Sequence, residues 1–250
     1  MAYMECHFRS DYLNMNTSVH VILPDDMKED EKFKVLYLFH GYVGDHTDWI
    51  RFTSIERYAR QYRLAVVMPQ VNNSYYTDMA YGMPYFSYIS EELPEWITKT
   101  FPISKEKDDN YICGLSMGGY GALKVALTHP YRYMKAASLS GALNIEHIRE
   151  LSADNKKNTQ FEATFGLHSV KDTPNDLKYL INQIKKKQEE IPDLFLGCGT
   201  EDFLFGDNSD FKSFLEKNNI KNTYVVSKGE HSWDFWDEYI QKVLKWIFEK

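Results

Sequence analysis

Short apolar runs alternate along this chain with longer stretches in which apolar residues recur every three or four positions. The runs "VHVIL" (19–23), "VLYLF" (35–39), "LAVVM" (64–68), "YICGL" (111–115), "AASLS" (136–140), "LFLGC" (194–198) and "TYVVS" (223–227) read as strands. Most are continuous rather than alternating, the pattern of parallel strands covered on both faces. In "DEYIQKVLKWIFEK", Ile240, Val243, Leu244 and Ile247 fall on one face of a C-terminal helix. "SEELPEWITKTF" opens with Ser90 before acidic residues and accommodates Pro94 only near a first turn, so a helix is predicted to start there. The alternation of strand and helix predicts a doubly wound α/β sheet with right-handed crossovers.

Two stretches fit that alternation poorly. Residues 71–89 are rich in aromatics and turn formers, and residues 144–190 are polar and partly helical. They read as loops or a small cap over the C-terminal edge of the sheet, where open α/β sheets place their ligands. No repeat, low-complexity tract or linker divides residues 1–250, which read as one domain.

Composition narrows the function classes. With 43% hydrophobic residues and 15% aromatics in 250 residues, the chain can bury a large core, which excludes a disordered or fibrous protein. A formal net charge of -7, with no Lys/Arg cluster interleaved with aromatics, argues against nucleic acid as a partner. The one basic run, Lys185-Lys186-Lys187, is followed at once by Gln188-Glu189-Glu190 and reads as a solvated helix face. Neither a signal peptide nor an apolar run approaching ~18 residues is found, so a soluble cytoplasmic protein without membrane contact is expected. Cys6, Cys113 and Cys198 are odd in number and set in apolar segments, which suits reduced core thiols. No two-histidine motif such as H-E-x-x-H is present, and no metal or other cofactor is expected.

The chemistry concentrates in "GLSMG", Gly114 to Gly118, immediately after a predicted strand and before the helical "YGALKVALTH". G-x-S-x-G also arises in glycine-rich turns without chemistry, but in this setting it describes a nucleophile elbow. The strand turns so sharply into the helix that residues two before and two after the serine approach too closely for a β-carbon. Gly119 and Gly121 are expected to let the following helix pack close to the sheet.

A serine hydroxyl needs a base that titrates near neutral pH, as histidine does. His7 and His20 lie in early strand-like runs, His46, His147 and His168 in polar segments, and His129 at a helix end. His40 ends a strand in "LFHG" and belongs to an oxyanion loop. His231, in "SKGEHSWDFW" between the last strand and the last helix, is where the order Ser, acid, His requires the base. For the acid, "LFLGCGTEDFLF" offers Asp202, with Glu201 as the alternative; Asp207 and Asp210 lie beyond the loop, and Asp193 precedes the strand. Ser116 would attack an ester carbonyl, His231 move the proton, and Asp202 hold the imidazole. The oxyanion would be met by the backbone N–H groups of Met117 and Tyr42.

"LFHGYVGDHTDW", "GLSMGGYGALKVAL", "SLSGAL", "CGTEDFLF" and "GEHSWDFW" together resemble the esterase D-like branch of the α/β-hydrolases, most closely its tributyrin-esterase-like acyl esterases. The resemblance covers about residues 35 to 240. It implies an α/β-hydrolase fold with a mostly parallel eight-stranded sheet, a triad at Ser116, Asp202 and His231, and an oxyanion pair at Tyr42 and Met117. The implied activity is serine carboxylesterase action on short-chain acyl esters, acetyl or feruloyl esters of sugars among them. S-formylglutathione hydrolases belong to the same branch, but they typically carry histidine before the nucleophile, where this chain has Leu115. An acyltransferase and a non-catalytic binding protein of the same fold are the remaining readings. Tyr75, Tyr76 and Trp233 flank the expected site and are read as substrate-binding, able to hold a short acyl group or to stack on a ring. Trp236 reads as core packing. The expected partner is a small-molecule ester, with an acylated carbohydrate and a homo-oligomer both compatible with the resemblance.

Overall fold

The computed structural model of the protein describes residues 1–153 and 157–249. Residues 154–156 of the second irregular stretch, and Lys250, lie outside the described residues. The eight strands are β1 (Ala2–Ser10), β2 (Met15–Leu23), β3 (Val35–Phe39), β4 (Ala65–Pro69), β5 (Asn110–Leu115), β6 (Lys135–Leu139), β7 (Asp193–Gly199) and β8 (Asn222–Ser227). They form one sheet in the order β1-β2-β4-β3-β5-β6-β7-β8. Pairings from β4 to β8 are parallel, while β1 with β2 and β2 with β4 are antiparallel. This is the α/β-hydrolase architecture.

The continuous apolar runs became the central strands. Every residue of β3, β4 and β5 is buried, as expected of strands with helices on both faces. β1 obeys the other rule. Its more exposed side chains alternate with Met4, Cys6 and Phe8, which pack partly buried against the core, so it forms an edge strand with one wet face. It pairs along its whole length with β2, from Ala2 opposite Leu23 to Ser10 opposite Met15.

One face of the sheet is covered by the helices Asp48–Phe52, Ile55–Arg60 and Trp233–Phe248. Trp49, Ile55, Tyr239, Ile240, Val243 and Leu244 pack there against Leu36, Leu38, Val66 and Cys113. The other face carries Leu93–Thr100, Met117–Thr128, Leu177–Lys187 and Phe205–Lys217, with Ile97, Leu123, Ile181 and Leu215 in its core. All four apolar residues predicted for the C-terminal helix are buried, as is Tyr239 beside them, and the helix starts earlier, adding Phe235 and Trp236.

The helix expected to open at Ser90 also begins earlier. A helical turn at Tyr85–Ser87 runs through a wide turn at Tyr88–Glu92 into Leu93–Thr100. Pro94 has no N–H to offer the carbonyl four residues back, Ser90, and the guanidinium of Arg132 donates to that carbonyl instead. The irregular stretches meet over the sheet. Backbone N–H groups of Ala80 and Tyr81 donate to the carbonyls of Thr164 and Ala163, at 2.9 and 2.8 Å. The helices Ile145–Ser152 and Lys157–Phe165 form a cap, whereas Leu177–Lys187 is an ordinary covering helix.

The strand order reverses around β3, with β4 on one side and β5 on the other. Such a switch point opens a crevice beyond the C-terminal ends of the strands. The loops after β3, β5, β7 and β8 all converge there.

Candidate active site

Ser116 joins β5 to the helix Met117–Thr128 with φ 53° and ψ -117°, backbone angles that an L-residue holds only under local constraint. The constraint is visible in its neighbours. A β-carbon on Gly118 would stand 2.5 Å from the carbonyl oxygens of both Phe39 and His40, and one on Gly114 would strike the Gly118 carbonyl. Ser116 is pinned further by its N–H donating to the Leu139 carbonyl at 2.8 Å and its carbonyl accepting from Ala142 at 3.1 Å. The hydroxyl is thereby held at the rim of the crevice.

The loop after β8 brings His231 Nε2 to 3.0 Å from Ser116 Oγ. On the other side of the ring, Nδ1 lies 2.9 Å from Asp202 Oδ2 and 3.1 Å from Oδ1. Asp202 follows β7, its side chain fully buried, and its Oδ1 accepts the N–H of Leu204 at 2.8 Å. Burial alone would raise its pKa. The hydrogen bond and charge of His231, the Leu204 N–H and the Ser140 hydroxyl outweigh that effect and hold the carboxyl below its ordinary range. Glu201, the alternative acid, extends outward to Lys228 Nζ at 3.7 Å. Asp207 lies in the next helix and pairs with His147 at 2.7 Å, while Asp193 starts β7 at the opposite end of the strand.

The loop after β3 closes over the serine. A β-carbon on Gly41 would come within 3.7 Å of Ser116 Cβ, so Tyr42 is carried directly beside Ser116. His40, read from the sequence as part of this loop, is buried. Desolvation lowers its pKa to about 4, against the opposing pull of the Gly41 carbonyl, and a neutral ring is left bracing the turn. Met117 opens the helix, where the first N–H groups have no intrahelical partner.

A cavity of about 630 Å³ opens over Ser116 and His231. Tyr75, Ile148, Leu151 and Phe161 line it from the cap side. Asp48, Arg51, Phe52 and Trp233 line it from the loop and helix after β3 and the start of the last helix, with Phe52 and Trp233 stacked at 4.9 Å.

Of the aromatics read as substrate-binding, the structure brings Tyr75 and Trp233 to the cavity but not Tyr76. Tyr75 and Tyr76 both have positive φ, and Tyr76 is fully buried, stacked on Phe39 at 4.3 Å. Its hydroxyl donates to the His40 carbonyl at 3.0 Å, so it supports the loop that carries Tyr42. Gly121 is the residue that makes room for this ring, whereas Gly119 faces Ser138 of β6 and does admit the helix to the sheet.

Trp236 is buried, as core packing requires, but it also lines the cavity and meets His231 edge-on at 4.9 Å. Its indole N–H donates to Ser140 Oγ at 3.1 Å, linking the ring to the hydroxyl that supports Asp202. Phe203 covers another side of His231, with ring centroids 4.6 Å apart. Asp48, Arg51, Phe52, Ser140 and Phe203 went unassigned in the sequence reading, because their placement depends on how separate loops meet.

Residues 10–247 match the model of the Esterase family. The chain belongs to that family. An acetyl esterase of Caldicellulosiruptor saccharolyticus is 34% identical over 99% of this chain and 98% of its own length. Among solved structures, the fluorophosphonate-binding serine hydrolase FphF of Staphylococcus aureus, in a substrate-bound state, superposes with a TM-score of 0.93 at 37% identity, over 100% of this chain and 99% of that one. The S-formylglutathione hydrolase FrmB of the same organism superposes with a TM-score of 0.90 at 36% identity, over 99% of both chains. This member of the Esterase family is thus a hydrolase of carboxylic esters with the α/β-hydrolase fold. No described helix is long and apolar enough to cross a membrane.

Proposed function

We propose that this esterase works through Ser116, His231 and Asp202 on short-chain acyl esters of small molecules, acylated sugars included. The observation that carries the reading is the unbroken hydrogen-bonded line from Ser116 Oγ through His231 to the buried carboxylate of Asp202, opening into an aromatic-walled cavity.

In the forward step His231 Nε2 accepts the Ser116 proton as Oγ attacks the acyl carbon, and Asp202 stabilises the imidazolium through Nδ1–H. The tetrahedral oxyanion is met by the N–H groups of Met117 and Tyr42, donors fixed before the charge develops. Collapse returns the proton to the departing alkoxide and leaves an acyl group on Ser116. A water molecule activated by the same histidine then releases the acid. The stacked Phe52–Trp233 pair, with Asp48 and Arg51 beside it, offers an apolar face and charged hydrogen-bonding groups together, which suits a hydroxyl-rich alcohol. Kinship with an acetyl esterase supports a small acyl group.

The test is hydrolysis of p-nitrophenyl acetate, butyrate and hexanoate, feruloyl esters and acetylated xylan on one preparation, with Ser116→Ala beside it. Loss on the order of 10⁴-fold in kcat for the variant is expected, and retained activity would overturn the triad. A thioesterase reading has one observation in its favour, the 36% identity to an S-formylglutathione hydrolase. Higher kcat/KM for S-formylglutathione than for any oxygen ester in the panel would replace the leading reading with it.

A further inference from the structure

A second group of ligating side chains lies away from Ser116, on the antiparallel edge of the sheet. Glu5 of β1 and His20 of β2 face each other in register, which projects both side chains from one face about 5 Å apart. His46, from the loop after β3, lies over them, its ring centroid 4.5 Å from that of His20. One ligand atom from each of the three lies within 4.8 Å of the others, and Glu5 Oε2 is 3.9 Å from His20 Nε2.

We propose that Glu5, His20 and His46 form a binding site for a divalent transition-metal ion, with zinc the best match. Two imidazoles and a carboxylate are a borderline donor set, and a water molecule would complete four-coordination. Ligands about 2.1 Å from a tetrahedral zinc stand roughly 3.4 Å apart, so the present spacing needs only a modest contraction. The half-exposed Glu5 side chain can close its own 3.9 Å separation from His20 Nε2 by rotation.

The surroundings favour a cation. His46 Nδ1 is buried and has no hydrogen-bond partner, a state that a metal or an ordered water relieves. His20 is almost wholly buried, with its ring edge-on to that of His46. The Tyr3 hydroxyl lies 2.9 Å from His20 Nδ1 and 3.1 Å from Nε2, so this exposed side chain must turn away from Nε2 for an ion to enter, and His7 Nε2 lies 3.4 Å from the other Glu5 oxygen, Oε1. Such outer contacts orient ligands. Asp45, next to His46 in the chain, adds negative charge.

The site has a consequence for the rest of the molecule. His46 sits four residues beyond Tyr42 in the loop over Ser116, and its own N–H donates to the Gln70 side chain at 3.1 Å. An ion held there ties that loop to the β1–β2 hairpin. Its effect is structural and falls on loop stability rather than on the chemistry at Ser116.

The experiment titrates the metal-stripped full chain with zinc chloride against a chromophoric chelator and follows Tm in parallel. One equivalent is expected to bind, with a rise of about 5 °C or more in Tm at a hundredfold excess over Kd. Glu5→Gln and His46→Ala should each weaken binding on the order of tenfold or more and diminish the Tm rise. His147→Ala and His231→Ala, which alter two histidine–carboxylate pairs elsewhere in the fold, should leave both readouts in place. Because His20 is buried and its replacement can disturb the fold, the two more exposed positions decide the matter. Cobalt(II) should give the visible d–d bands of a tetrahedral site in the parent and not in His46→Ala. Absence of stoichiometric zinc binding, or binding indifferent to Glu5→Gln and His46→Ala, overturns the proposal.

Discussion

Gly118→Ala isolates the steric logic of the elbow with a single methyl group. The added β-carbon would stand 2.5 Å from two backbone oxygens, those of Phe39 and His40, and ordinary contact begins near 3.4 Å. Neither oxygen belongs to a flexible side chain, so the end of β3 and the start of the helix Met117–Thr128 must separate by about 0.9 Å, the difference between those two distances. Overpacking of this kind costs about 1–3 kcal/mol and should lower Tm by several degrees. The larger effect should fall on turnover, because the displaced segment carries the Tyr42 N–H on one side and Ser116 with the Met117 N–H on the other. A misplacement approaching 1 Å in a reacting constellation costs on the order of 10²-fold. The assay is kcat with p-nitrophenyl acetate alongside thermal melts. Gly206→Ala serves as the control, since a β-carbon there meets nothing within 4 Å on an exposed helical position. It should keep full turnover and gain up to about 1 kcal/mol from helix propensity. If Gly118→Ala retains kcat within about threefold of the parent, the tight approach is not what positions the donors, and the argument fails.

Two further substitutions test buried polar groups near the site. Tyr76→Phe removes the donor to the His40 carbonyl while keeping the ring stacked on Phe39; it should destabilise by about 1–3 kcal/mol and lower kcat more than it changes KM, and a rise in KM alone would return Tyr76 to the substrate-binding set. Lys124, 3% exposed, donates to Thr77 Oγ1 and Asn175 Oδ1, and burial lowers its pKa from 10.5 to about 7. Between those two values the unfolded chain binds a proton that the folded chain does not, so this group's contribution to stability falls as pH drops from 10.5 to 7. The shift corresponds to about 5 kcal/mol over the full interval. Lys124→Met should therefore become more stable relative to the parent by about 3 kcal/mol on going from about pH 9.5 to pH 7, whatever the lost hydrogen bonds cost at both. Urea unfolding at the two pH values measures it, and a difference independent of pH would show that Lys124 stays charged inside the fold.

The central sheet was legible because parallel strands covered on both faces must be continuously apolar. β3, β4 and β5 are buried throughout, and β7 is buried from Leu194 onward. β1 follows the same rule inverted. Its apolar residues alternate with Tyr3, Glu5, His7 and Arg9, the pattern of an edge strand with one wet face, and a continuous apolar run is absent there. The early start of the Tyr85–Thr100 helix was hidden by Pro94. Its tolerance depends on Arg132, 38 positions downstream, reaching the carbonyl that the proline leaves without a donor.

The site divides along a similar line. The structure brings Ser116, Asp202 and His231 together because each sits just beyond a strand end, a position readable in the sequence, and the topology carries all those ends to one crevice. The walls of the cavity carry no such marker. Tyr75 and Tyr76 are adjacent and chemically identical, yet one faces the cavity and the other is locked beneath the loop after β3, a difference set by the left-handed turn both occupy and by the space left at Gly121. Trp236 shows why burial and function are not alternatives here. The same ring that fills the core beside Tyr239 meets His231 with its edge and reaches Ser140 with its N–H. Truncating it would therefore open a void and loosen the imidazole together, and only Trp236→Phe, which keeps most of the volume while removing the N–H, separates the packing role from the hydrogen bond.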